Sequence, residues 1–142
     1  IQKALPDTAF WEVQTVLAPE ALKATQSLLQ AHPAIKIVVC CADDGALGAR
    51  AAFQNSGLSP DNVFICGWDG SKQNLNLIKQ KDKFIQASAA LDIALVGRTV
   101  VDVPDHVFKK SGPTEVSIPY EMVTHATDVA VIDRLLKVYE TS

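Results

Sequence analysis

Two acidic turns hold the residues of this chain best suited to chemistry. The first lies in "VVCCADDGALGARAAFQNSG", Val38 to Gly57, where Asp43 and Asp44 follow an apolar run and precede a small-residue helical stretch. The second is "GWDGS", where Trp68 and Asp69 follow the apolar run Val63 to Cys66. Acids placed after a strand can bind Mg²⁺, accept a phosphoryl group, cap the following helix, or take hydroxyl hydrogen bonds on the wall of a cleft.

The first two options lack their companions. A receiver-type phosphorylation site needs a phosphoacceptor Asp two strands after the acidic pair and a Lys after a further strand. Here Asp69 follows the very next strand, and no Lys follows Phe84–Ala89. No G-x-x-x-x-G-K-[ST] or G-x-S-x-G is present. His32, His106 and His125 are scattered, and Cys40, Cys41 and Cys66 sit in apolar, strand-like runs without metal-ligand spacing. An odd cysteine count speaks against a full disulfide framework. No acid–base–nucleophile set assembles, so the expectation is a non-enzyme with no metal and no cofactor. Asp43 or Asp44 is then a helix cap that also lines a rim. Asp69 is a turn residue before Gly70 or a ligand acceptor. Trp68 packs against the fold or offers an aromatic platform, and Trp11 belongs to the core.

Composition fits one folded domain. The chain has 142 residues, 48% hydrophobic and 20% charged. A net charge of −3 argues against a nucleic-acid face for this fragment. No apolar run approaches the roughly 20 residues of a membrane span. The single Met is Met122, so the start is expected to be a processed or trimmed end.

The elements that must position the acids read in alternation. Phe10–Val16 alternates like a strand. Pro19 opens a helix that His32-Pro33 closes. Lys36–Cys41 reads as a strand buried on both faces. Asp43 or Asp44 caps a helix that Gly57 ends. Val63–Cys66 is a strand, Ser71–Lys79 a helix and Phe84–Ala89 a strand. Asp92 caps a helix through about Phe108 that Pro104 kinks or shortens. Glu115–Ile118 and Glu121–Thr124 are strands, and Thr127 or Asp128 caps a last helix through Val138. This order predicts an α/β fold of three layers around a mainly parallel sheet. Ligands bind such sheets at the carboxyl ends of strands, where both acidic turns lie.

Four segments carry a resemblance: "LLQAHPAIKIVVCCADDGALGARAAFQNSG", "VFICGWDGS", "FIQASAALDIALVG" and "EMVTHATDVAVI". In order and spacing they resemble the type I periplasmic (sugar) binding proteins, whose fold LacI-type effector-binding domains share. The resemblance implies two lobes closing on a ligand, with residues 1–142 forming the second lobe and C-terminus. "IQKAL" would lie in that lobe's first helix. The helix over residues 93–110 would pack on the missing first lobe. Without that lobe it would leave Ile93, Leu95, Val96, Val100 and Val103 open to a partner or a second copy of the chain.

The implied function is non-enzymatic binding of a sugar-like small molecule for a membrane permease or sensor, in the periplasm or outside the cell. A cytoplasmic LacI-type regulator is the alternative. The family segment "N-D-x-M-A-x-G" corresponds to Ala42–Gly48, so Ala42 stands where an Asn contacts sugar. Asp69 keeps the Asp of "G-F-D-G". Leu91 replaces the Gln or Asn of the third crossover, and Val16, Leu17 and Ala18 replace an acid, an aromatic and an Arg. The implied ligand set is Asp69, Trp68, Asp43 and Asp44, with Ala42 and Leu91 at positions that have lost their polar groups.

Overall fold

Helix signals and short apolar runs alternate along the computed structural model, which describes residues 3, 6–61 and 63–140. The helix expected around "IQKAL" lies outside the described residues, apart from Lys3 in a turn. α1 (Ala18–Ala31) begins with Pro19 in its first turn and closes at His32. α2 (Asp43–Ser56) ends at Gly57, whose φ of 68° makes the left-handed stop that glycine adopts without a Cβ clash. α3 (Lys72–Lys79), α4 (Ile93–Lys109) and α5 (Val129–Leu136) start on Ser71, Asp92 and Asp128, each accepting a backbone N–H from its own first turn. A 3₁₀ turn, Lys137–Glu140, follows α5.

Four strands form one sheet in the order β1-β2-β3-β4: β1 (Ile37–Val39), β2 (Phe64–Asp69), β3 (Ile85–Leu91) and β4 (Tyr120–Thr124). The first three are parallel and β4 is antiparallel to β3. The expected α/β class with a mainly parallel sheet is therefore the observed one.

Side-chain alternation divides this sheet into unlike faces. One carries Val38, Ile65, Ser88, Ala90 and Val123. With Phe53, Leu75, Ile78 and Ile132 of α2, α3 and α5, the apolar members build the core. The other face carries Ile37, Val39, Phe64, Trp68, Tyr120 and Met122, all 38% or more exposed. β1 was expected to be buried on both faces. It is instead an edge strand with Ile37 and Val39 open on the outer face.

Four further expectations are corrected. Phe10–Val16 is extended but joins no ladder among the described residues. Its alternation is strand-like, yet a strand exists only through a neighbour's hydrogen bonds, and no described strand pairs with it. Trp11 is exposed and stacks on His32 at 4.2 Å rather than entering the core. Glu115–Ile118 is irregular because the antiparallel ladder begins where Leu91 meets Tyr120, just past Pro119, which lacks an N–H. Pro104 does not shorten α4, which continues to Lys109. No residue of α4 is buried, and Val100, Val101 and Phe108 are open.

Asp82 ties α2 to the start of β3. Its Oδ2 accepts Arg50 Nε and Nη2 at 3.0 and 2.7 Å, and its Oδ1 accepts the N–H groups of Phe84 and Ile85 at 3.0 and 2.9 Å. Burial pushes this carboxyl up, but the Arg50 guanidinium and the two N–H groups outweigh it and hold the pKa below the usual carboxylate value. A native pKa below the unfolded one means that the unfolded chain binds the proton first. The stabilisation is then full above about pH 4 and is lost as pH falls through the lowered native value. Asp82→Ala should cost about 2 kcal/mol at pH 7, measured by urea unfolding. The gap from the parent should shrink as pH falls below 4.

Candidate functional site

The carboxyl ends of the parallel strands make a rim. β1 runs into Cys40–Ala42, β2 ends at Asp69 and β3 at Leu91. Asp69 is partly buried and holds φ at 105°, a conformation that L side chains rarely adopt. Burial raises its pKa, and the carboxylates of Asp43 and Asp44 raise it further. The facing backbone N–H of Asp43 pulls it back down. The rim therefore gathers Asp43, Asp44 and Asp69 at the start of α2, with Ala42 as the residue preceding the helix.

The three acids take different places. Ala42, not either aspartate, is the N-cap of α2, and it carries no side-chain acceptor. The expected cap is corrected accordingly. Asp44 lies exposed in the first turn, where a negative charge meets the positive helix end. Asp43 is 1% exposed, and its carboxylate turns away from solvent across the sheet. Its Oδ2 accepts the N–H of Ser71 at 2.6 Å, and its Oδ1 accepts the hydroxyl of Ser88 at 2.8 Å. That hydroxyl oxygen also accepts the N–H of Gly70 at 3.2 Å. Tyr139 donates to the Gly70 carbonyl at 3.0 Å. Ser88 and Tyr139 were not legible from the sequence: Ser88 sits in a run of small residues, and Tyr139 is remote along the chain.

Pleating separates Trp68 from this cluster. Its neighbour Asp69 shares the face of Ser88 and Ala90, whereas Trp68 shares the outer face with Tyr120, ring centroids 5.3 Å apart. Leu91 pairs with Tyr120 at the end of the ladder. The rim is thus acidic where α2 begins and apolar or aromatic toward β3 and β4. Val16 and Leu17 are exposed beside it, with the Val16 carbonyl near Gly45.

Burial pushes the Cys40 thiol up to about 11, with neighbouring Cys41, Cys66 and Asp43 adding to it. It stays a protonated, poorly nucleophilic thiol at neutral pH. Among the described residues no group of three or more His, Cys, Asp or Glu is arranged to hold a metal ion. What the rim offers is acceptor oxygens for hydroxyl donors beside an apolar surface.

With this geometry in place, the comparisons with known proteins align. The profile of the periplasmic binding protein domain family matches residues 12–111. The ribose import binding protein of Bacillus subtilis is 31% identical over 106 residues, which make up 74% of this chain and 33% of that protein. A periplasmic component of the arabinose ABC transporter of Shewanella sp. ANA-3, bound to L-arabinofuranose, superposes with a TM-score of 0.78 at 20% identity, over 98% of this chain and 47% of that one. A LacI family transcriptional regulator from Arthrobacter sp. FB24 shares the fold with a TM-score of 0.69 at 22% identity, over 86% and 46%. The chain spans about a third of the length of the curated relative and about half of the solved ones.

Gly67 leaves the space that the Asp43 carboxylate fills: a Cβ there would lie 2.1 Å from Asp43 Oδ1 and 2.9 Å from Asn74 Nδ2. Gly67→Ala should displace the buried carboxylate and cost about 3 kcal/mol in chemical denaturation. A variant as stable as the parent would mean that Asp43 is not wedged there.

Proposed function

The chain belongs to the periplasmic binding protein domain family, and from that premise we propose that it is the C-terminal lobe of a two-lobed, non-enzymatic solute-binding protein for a sugar or similar polyol. The observation that carries this reading is Asp69: a carboxylate kept in a costly left-handed backbone at the end of β2, facing the start of α2. Its carboxylate accepts the Asp43 N–H at the start of α2 and keeps further lone pairs for hydroxyl donors, whose charge-assisted bonds fix the orientation of a neutral polyol. Relatives named for ribose and arabinose import support the ligand class.

In this reading Asp69 accepts ligand hydroxyls, and Asp44 adds negative potential at the rim. Ala42 and Leu91 form apolar wall, and Trp68 with Tyr120 shapes its outer side. Asp43 is too deeply buried to reach a ligand. The other lobe supplies the opposite wall, and α4, unburied here, packs against it. Closure on a hinge gives the form that a membrane permease or chemosensor reads, outside the cytoplasmic membrane. The alternative, an effector-binding domain of a LacI-type regulator, uses the same lobe behind a DNA-binding head. The coding sequence upstream distinguishes the two.

Calorimetry of the complete two-lobed protein against a panel of pentoses, hexoses and inositols tests the proposal. Binding of one class is expected, and Asp69→Asn should weaken it by about 10- to 100-fold, the equivalent of a lost charged hydrogen bond. Unchanged affinity in that variant removes Asp69 from the site. No heat with any member of the panel removes the sugar reading.

A further inference from the structure

We propose that Ser88 and Asp43 are positioning residues that together hold the Asp69–Gly70–Ser71 turn in the left-handed geometry presenting the Asp69 carboxylate at the rim. The part that concerns ligand rests on the binding reading above; the clamp itself does not.

Consecutive backbone groups of this turn are tied inward. The Gly70 N–H donates to Ser88 Oγ at 3.2 Å, the Gly70 carbonyl accepts from Tyr139, and the Ser71 N–H donates to Asp43 Oδ2 at 2.6 Å. Ser88 is in turn fixed by donating its hydroxyl proton to Asp43 Oδ1 at 2.8 Å. Asp43 and Ser88 are 1% and 0% exposed, so water does not compete for these bonds. The turn also cannot slide toward β3, because Gly70, at φ 74°, lies so close to Ala90 that a Cβ would come within 2.5 Å of the Ala90 Cβ.

A non-glycine residue at φ 105° costs on the order of 1–3 kcal/mol unless its surroundings over-determine it. Here they do so on the C-terminal side, where Gly70 and Ser71 are anchored. The anchor comes from three elements, α2 through Asp43, β3 through Ser88 and the 3₁₀ turn through Tyr139, none of which contains the turn. Asp43 thus acts on a ligand through Asp69, not by touching it.

A double-mutant cycle between Ser88→Ala and Asp69→Gly, with amide hydrogen exchange, tests the clamp on this chain without any ligand. Asp69→Gly relieves the positive φ, because glycine adopts it freely, and also removes the carboxylate's bond from the Asp43 N–H. Whatever its net effect in the parent, Asp69→Gly should be less favourable in the Ser88→Ala background, since the freed turn can already relax. In Ser88→Ala, exchange at the Gly70 amide should quicken by on the order of tenfold more than at core amides such as Ile85, which follow global stability. Additive effects of the two substitutions, or an unchanged Gly70 rate, would overturn the clamp. Asp43→Asn supplies the second arm. It should move the Ser71 amide proton resonance upfield by removing a charged acceptor, and a resonance left in place counts against the clamp. In the complete protein, Ser88→Ala should weaken binding of whichever sugar the panel identifies. If the panel identifies none, the cycle and the exchange rates still decide the clamp, so the two readings fail separately.

Discussion

One buried carboxylate organises this fold. Asp43 enters from the first turn of α2, passes over Gly67 of β2 and meets both the start of α3 and the middle of β3. A charge removed from water is tolerated only when nearly every lone pair finds a donor. The short Ser71 N–H bond and the Ser88 hydroxyl provide those donors. Four elements are consequently locked at the end of the sheet where parallel strands present their carboxyl termini. The small residues around it follow: Gly67 because the carboxylate occupies the place of a Cβ, Ser88 because a hydroxyl is needed there, and Ala90 because Gly70 of the turn lies close to it.

The opposite pole is built differently. Asp82 joins Arg50 to the start of β3, so α2 is bound to the sheet through Asp43 in its first turn and through Arg50 midway along it. Ala46 and Ala49 lie between them and Phe53 follows, all buried in one core with Ile65 and Ile85. The outer face, with Ile37, Val39, Phe64 and Met122 open, has no such cover among the described residues.

Much of this was legible in the sequence because it is local. The helices announce themselves by Pro19, Gly57, Ser71, Asp92 and Asp128, and three parallel strands by short apolar runs between them. What failed was non-local. Phe10–Val16 and Glu115–Ile118 have the composition of strands but no neighbour to pair with. Two acids before a helix read as that helix's own cap. The Asp43 carboxylate instead reaches residues 28 and 45 positions further along the chain, a choice that no local pattern encodes. The rim itself was legible, since strand-to-helix turns of a parallel sheet must fall at one end. The division of Trp68 from Asp69 was also available, as adjacent strand residues point to opposite faces, but their shared motif obscured it.

That division bears on what the rim can hold. A carboxylate and an aromatic ring on neighbouring residues of one strand cannot both address a small molecule lying on one face of the sheet. They can both address one seated above the strand ends, where the faces meet. Such a molecule would find acids on the α2 side and Leu91, Tyr120 and Trp68 on the other. A pyranose or furanose ring has this character, with hydroxyls on its edge and C–H groups on its faces. In the proposed binding reading, Ala42 and Leu91 shift the balance toward the C–H surface and leave Asp69 as the principal fixed acceptor. A ligand with fewer hydroxyls, or one turned so that its polar edge faces Asp69 alone, therefore suits this rim better than one ringed by donors.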